Sequence, residues 1–124
     1  MIKFRPKSKE LIQYAKNGDI ENIKFLLERN RYLVYDYDSV HQTALHWAAK
    51  RNYPDVIKLL VSYGSFIDAK TLGDRTPLFL ASKWGNIRAV KALLAKEANP
   101  KAKNWLGYTA MDVAASEWIL SYLK

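Results

Sequence analysis

Apolar residues recur at helical spacing along most of the chain, in short segments separated by polar turns. The clearest segments are residues 54–62 and 87–96, whose apolar positions are Val56, Ile57, Leu60 and Val61 in one and Val90, Leu93 and Leu94 in the other. A spacing of three and four residues places such side chains on one face of an α-helix. The pattern therefore predicts two amphipathic helices, each with one face on a shared core.

These segments belong to a 33-residue repeat. TALHWA at residues 43–48 is followed at that offset by TPLFLA at 76–81 and by TAMDVA at 109–114. The agreement continues outside the hexapeptide, where Lys50 matches Lys83. Each unit is predicted to hold two short helices, the first of them capped by the threonine hydroxyl, which accepts a hydrogen bond from a free backbone N–H.

The two end units depart from this repeat. Residues 10–18 and 19–27 predict a first helix pair, but residues 32–37 hold one extra residue before the next unit. After residue 115, only Trp118, Ile119, Tyr122 and Leu123 remain for a last second helix. Atypical end units suit a solenoid, because each end must cover an open core. We expect a basic arm at residues 1–7 and one domain at 8–124, divided into units at about 8–37 (cap), 38–70, 71–103 and 104–124 (shortened cap).

The 33-residue period and the TPLFLA-type hexapeptides resemble the ankyrin repeat, whose signature is T-P-L-H-x-A. The similarity covers about residues 8–124. It implies an all-α repeat solenoid of stacked helix-turn-helix units, with β-hairpin loops centred on residues 37–42, 70–75 and 103–108. Gly107 suits the tight turn of the third loop, and His41 and Asp74 replace this glycine in the other two.

The layout is also similar to that of small four-repeat ankyrin proteins of the myotrophin type. Those proteins open with a Lys-Asn-Gly-Asp turn, here residues 16–19, and end on a shortened G-x-T-A repeat, here 107–110. This resemblance implies a regulator of the actin-capping protein as one alternative function. Because that regulation uses acidic surface and this chain is basic, the similarity is one of architecture.

Charge and composition narrow the chemistry. The chain has twenty Lys and Arg residues and twelve Asp and Glu residues, which gives a net charge of +8. Such an excess favours an acidic partner or nucleic acid, or it serves only to keep the domain soluble. The absence of cysteine excludes disulfides and suits a reducing compartment. We therefore expect an intracellular protein, cytoplasmic or nuclear, and, without a long apolar run, no membrane span.

The ankyrin resemblance implies binding through a concave face made by loop tips and first helices. The predicted partner-binding residues are Val40, Gln42, Lys50, Arg51, Lys70, Leu72, Arg75, Lys83, Trp84, Lys103, Trp105 and Tyr108. The set contains six charged side chains, and all six are basic. Exposed aromatic residues beside arginine are typical of binding hot spots. The alternative is that Trp105 and its neighbour Leu106 fold back onto their own loop.

No enzyme motif is present in the sequence. Phosphate-binding loops, dinucleotide motifs and nucleophile elbows are absent. The two histidines, His41 and His46, lack metal-ligand spacing, and we expect a structural hydrogen bond from His46. The chain is therefore predicted to be non-catalytic, with no cofactor or metal. The leading hypothesis is a protein–protein interaction module, an adaptor or complex subunit that binds acidic and apolar surface. Binding of nucleic acid within a ribonucleoprotein is the other alternative.

Overall fold

The computed structural model describes residues 9–124, so the predicted arm at residues 1–7 lies outside the described part. This part contains seven α-helices: α1 (Lys9–Asn17), α2 (Ile20–Arg29), α3 (Ala44–Lys50), α4 (Pro54–Ser62), α5 (Pro77–Lys83), α6 (Ile87–Ala95) and α7 (Glu117–Leu123). A short 3-10 helix, Arg31–Tyr35, follows α2. The predicted all-α solenoid is confirmed.

The helices form two layers around one apolar core. The first helices of successive units pack side by side, with α3 between α1 and α5. The second helices do the same, with α4 between α2 and α6, and α7 packs on α6. The largest fully buried side chains come from both layers and include Leu11, Ile23, Leu45, Ile57, Leu60, Leu78, Leu93 and Ile119. Their burial explains the apolar period that the sequence carries.

Threonine caps fix where two of the first helices begin. The Thr43 hydroxyl accepts a hydrogen bond from the His46 N–H at 3.3 Å, and the Thr76 hydroxyl accepts one from the Phe79 N–H at 3.1 Å. Pro77 occupies the first turn of α5, where its missing N–H leaves no hydrogen bond unmade. These predicted helix starts are confirmed.

The turns repeat as regularly as the helices. Gly64 and Glu97, which lie at equivalent positions after α4 and α6, have φ values of 95° and 66°. His41 and Asp74 have φ values of 62° and 59° in their loops, where Gly107 has 85° in the third. The units therefore keep the same left-handed turns where glycine is missing, although left-handed backbone costs a residue with a side chain about 1–2 kcal/mol.

Two sequence predictions need correction. Residues 109–115 were expected to form a first helix, but they form turns. Met111 and Asp112 are exposed there, so this segment lacks the packing that holds α3 and α5. The predicted β-hairpin loops also lack strands: within residues 9–124 the only bridge in them pairs Tyr37 with Thr43.

Candidate partner-binding surface

The three loops between units share one hydrogen-bond pattern. In each loop, one side chain accepts hydrogen bonds from the backbone N–H groups two and four residues ahead, at 2.9 to 3.3 Å. The acceptors are Asp38, Thr71 and Asn104, which are 33 residues apart. Three different side chains thus make the same turn, because each offers an oxygen at the same place. The loops are internally braced.

Backbone hydrogen bonds also join each loop to the next. The Leu72 N–H donates to the Val40 carbonyl at 3.1 Å, and the Trp105 N–H donates to the Gly73 carbonyl at 3.1 Å. Adjacent loops are therefore fixed relative to one another as well as internally. The result is a continuous, ordered wall on one side of the solenoid.

A groove of about 460 Å³ lies between this wall and the carboxyl ends of α3 and α5. Eight of the twelve predicted binding residues line it: Val40, Gln42, Lys50, Leu72, Arg75, Lys83, Trp84 and Trp105. The lining residues that sequence reasoning missed are Thr71, Gly73 and Leu80. Thr71 could have been found from the repeat, since it stands at the position of Asp38 and Asn104.

The other four predicted residues lie outside the groove lining. The Lys70 ammonium donates to the Lys103 carbonyl at 3.5 Å, which places both residues beside the same pair of loops. Arg51 extends the other way and donates to the Lys16 carbonyl at 3.5 Å. Tyr108 is half exposed in the third loop. Repeat position alone therefore does not distinguish residues that line the groove from residues that lie beside it.

The two groove tryptophans are open to solvent. Trp84 is 57% exposed and Trp105 is 69% exposed. A Cβ atom placed on Gly73 would lie 3.8 Å from Trp105 Cδ1, so this indole lies near the neighbouring loop. Leu106 is 62% exposed. This exposure favours a partner-facing role over the alternative in which Trp105 and Leu106 fold back onto their own loop.

The charged residues of the groove lining are all cations: Lys50, Arg75 and Lys83. The Arg75 Nε atom is buried and has no hydrogen-bond partner among the described residues. A buried donor without a partner is unfavourable. The groove therefore combines positive charge with two exposed indoles.

A family profile described as ankyrin repeats (many copies) matches residues 11–61 and, in an overlapping second match, residues 45–94. Together these matches cover well over half of the chain. The chain belongs to the ankyrin-repeat family.

Several known proteins contain a region similar to this ankyrin-repeat chain. This chain is 40% identical to protein phosphatase 1 regulatory subunit 12A of Mus musculus over 82 residues, which is 66% of this chain and 8% of that protein. It is 34% identical to the putative palmitoyltransferase ZDHHC13 of Danio rerio over 107 residues, 85% of this chain and 16% of that protein. The probable E3 ubiquitin-protein ligase XBOS32 of Oryza sativa is 29% identical, over 85% of this chain and 22% of that protein. The chain thus spans less than a quarter of the length of these relatives.

One buried histidine anchors the groove wall of this ankyrin-repeat domain. His46 Nδ1 accepts the Thr43 N–H at 3.0 Å, so Nε2 carries the proton and donates to the Ala69 carbonyl at 2.8 Å and the Arg75 carbonyl at 3.0 Å. Burial lowers the pKa of His46 to about 4, against the opposing effect of the two carbonyl acceptors. The neutral imidazole joins α3 to the loop that carries Arg75, in the structural role expected from the sequence.

Asp38 has a comparable structural role in the first loop. Its carboxylate accepts hydrogen bonds from the Val40 and Gln42 N–H groups and from the Trp47 indole N–H at 3.1 Å. Burial raises the pKa of Asp38, but these hydrogen bonds outweigh it and leave the pKa below its usual value. The carboxylate therefore stays ionised and fixes the orientation of Trp47.

Residues 9–124 contain no group of three or more His, Asp or Glu side chains arranged to hold a metal ion. Within the same range, no helix combines the length and the apolar character needed to cross a bilayer.

Proposed function

We propose that this ankyrin-repeat chain is a non-catalytic adaptor, or a subunit of a larger complex, that binds acidic and apolar protein surface through the groove. Ankyrin repeats are protein–protein interaction modules, which supports the general class. The observation that carries the finer proposal is the juxtaposition of Lys50, Arg75 and Lys83 with two exposed tryptophans in one groove, one side of which is the braced wall.

The braced wall favours binding because little order has to be created when a partner docks. Each loop is closed by its own side-chain acceptor and tied to the next loop by a backbone hydrogen bond. Pre-organised surfaces bind more tightly, since fewer rotamers and loop conformations are lost. Partner carboxylates would pair with the three cations, and partner apolar side chains would cover Trp84 and Trp105.

The similar regions of known proteins support an adaptor or subunit role. One relative is named as a regulatory subunit of a phosphatase, while others are named as a palmitoyltransferase and as a ubiquitin ligase. Repeats of this kind therefore accompany different catalytic activities. A recognition role that is independent of the chemistry explains this distribution better than a shared reaction does.

Affinity capture from native cells tests the proposal. The wild-type chain is compared with a groove variant, Trp84→Ala with Lys83→Glu, and with a matched control, Trp118→Ala with Lys58→Glu. The control removes one exposed tryptophan and reverses one charge outside the groove lining. We expect the wild type and the control to retain a defined set of proteins that the groove variant loses.

Two measurements make the capture experiment decisive. Thermal melts must show the same unfolding midpoint for the groove variant and the wild type, because both altered side chains are exposed. Retained material must also survive nuclease treatment. Capture of mainly nucleic acid that nuclease and moderate salt release would contradict the adaptor proposal and favour the nucleic-acid alternative.

A further inference from the structure

Three cationic side chains converge on a single indole beside the groove. Lys16 Nζ lies 4.3 Å from the centroid of the Trp47 ring, Lys50 Nζ lies 4.6 Å from it, and Arg51 Cζ lies 5.7 Å from it. We call these four residues the Trp47 cluster. All of these distances are within the range of a cation–π contact.

The packing of α1 on α3 builds this cluster. Lys16 lies in the last turn of α1, Lys50 lies in the last turn of α3, and Arg51 caps the end of α3. The carboxyl end of a helix carries partial negative charge, so it stabilises cations at all three positions. The Asp38 carboxylate holds the Trp47 indole in place through its N–H.

The charge of the Trp47 cluster is poorly balanced. Among the described residues, the Asp38 carboxylate touches the cluster through the indole N–H, and it also accepts hydrogen bonds from two loop N–H groups. Like charges gathered around one ring repel one another. A multiply charged anion would relieve this repulsion.

The Trp47 cluster is continuous with the groove through one shared side chain. Lys50 Nζ is also 5.7 Å from the centroid of the Trp84 ring, and Lys50 lines the groove. A peptide segment that covers Trp84 and continues past Lys50 towards α1 would reach Lys16 and Arg51. The inference below rests on the proposed function and adds to it.

We propose that the Trp47 cluster binds a phosphoserine or phosphothreonine in the partner segment that occupies the groove. A phosphate monoester carries a charge of about −1.5 to −2 and three acceptor oxygens, which matches three converging cations. A single carboxylate carries only one charge. At this cluster a nucleic-acid strand fits less well, because base stacking needs an open aromatic face, whereas Trp47 is half-buried and contacts two lysine ammonium groups.

Fluorescence anisotropy with degenerate peptide pools tests the inference on the purified full chain. The pools share acidic and apolar residues at the flanking positions and differ only at the centre, which is phosphoserine, serine or glutamate. We expect the phosphoserine pool to bind at least tenfold more tightly than the other two. Inorganic phosphate should compete with the phosphoserine pool alone.

A cluster variant, Lys16→Gln with Arg51→Gln, should lose the preference for phosphoserine, so that the ratio of its affinities for the phosphoserine and serine pools falls to about one. The matched control is Lys58→Gln with Lys96→Gln, which removes the same charge from exposed positions away from the cluster. It should keep the preference. If the cluster variant melts early, Arg51→Lys preserves the charge but removes the planar donor fork, and it should weaken phosphoserine binding several-fold.

The outcomes separate this inference from the proposed function. Equal binding of all three pools that is lost in Trp105→Ala overturns phosphate recognition and supports the groove. If none of the three pools binds, both the phosphate inference and the proposed function of the groove are overturned. Competition by single-stranded homopolymer RNA that is stronger than competition by phosphoserine peptide, with a steep salt dependence, assigns the cluster to nucleic acid and overturns the inference.

Discussion

The second and fourth units begin with the same local signal and fold differently. In the second unit, the Thr43 hydroxyl and the His46 side chain each accept the other residue's backbone N–H, and α3 follows. In the fourth unit, Thr109 and Asp112 exchange the same two kinds of hydrogen bond, at 2.9 and 3.3 Å. Only turns follow there.

The difference between these units lies in what surrounds them. α3 packs between α1 and α5, and Leu45 and Ala48 are completely buried. At the equivalent position in the fourth unit, Met111 is 39% exposed. Nucleating a helix is unfavourable, and short helices depend on tertiary packing for most of their stability. A cap therefore marks where a helix can begin, while packing decides whether one forms.

The comparison predicts that core truncation costs more in the second unit than in the fourth. Leu60→Ala should lower the free energy of unfolding by about 2–5 kcal/mol, because the side chain is fully buried between helices. Leu123→Ala removes a leucine that is 6% exposed at the end of α7 and should cost clearly less. Urea unfolding of both variants measures the difference. Equal costs would show that the fourth unit is as tightly packed as the second.

The second unit should also give the domain an acid-sensitive stability. Because the pKa of His46 is about 4 in the folded chain and about 6.5 when unfolded, the unfolded chain binds more protons between these values. Stability is therefore complete above pH 6.5 and falls by about 3 kcal/mol as the pH drops towards 4. His46→Gln should flatten this slope in pH-dependent urea unfolding, whereas His41→Gln, in an exposed loop, should preserve it. A steep slope in His46→Gln would assign the effect to carboxylates instead.

A smaller effect is expected where the fourth unit is tied to the third. The buried Ser82 hydroxyl donates to the Ala110 carbonyl at 2.6 Å, and the Ala115 N–H donates to the Ser82 carbonyl. Ser82→Ala leaves that buried carbonyl without its donor and should cost about 1–2 kcal/mol. Hydrogen exchange should quicken in residues 110–123 before it does in α3. Ser62→Ala, which removes an exposed hydroxyl bonded within its own helix, is the control and should have little effect.

The smallest effect concerns the turn that leads into the fourth unit. Glu97 adopts a left-handed backbone where the second unit has Gly64. Glu97→Gly should therefore raise the unfolding free energy by up to about 1 kcal/mol. The reverse type of change, Gly64→Ala, should destabilise, since its Cβ would lie 3.1 Å from the Tyr35 hydroxyl. Thermal melts test both changes, and a loss of stability in Glu97→Gly would show that the Glu97 side chain stabilises the turn.

The sequence predicted the groove in outline but not its limits. The 33-residue repeat placed Lys50 with Lys83 on equivalent helix ends, and it placed the loop residues beside them. It also placed Arg51 in the same set, although the structure turns that side chain towards Lys16. Repeat position specifies which helix or loop carries a residue. It does not specify the direction of a long side chain, which depends on neighbouring units.

By itself, the sequence determined that this chain is a stack of ankyrin units and where most of its helices begin. These features follow from local hydrogen bonds and from an apolar period that only a two-layer helical stack can bury. Tertiary structure alone decided that the fourth unit lacks its first helix and that Lys16 meets Arg51 around Trp47. The physical reason is that both outcomes depend on contacts between helices that are distant in sequence.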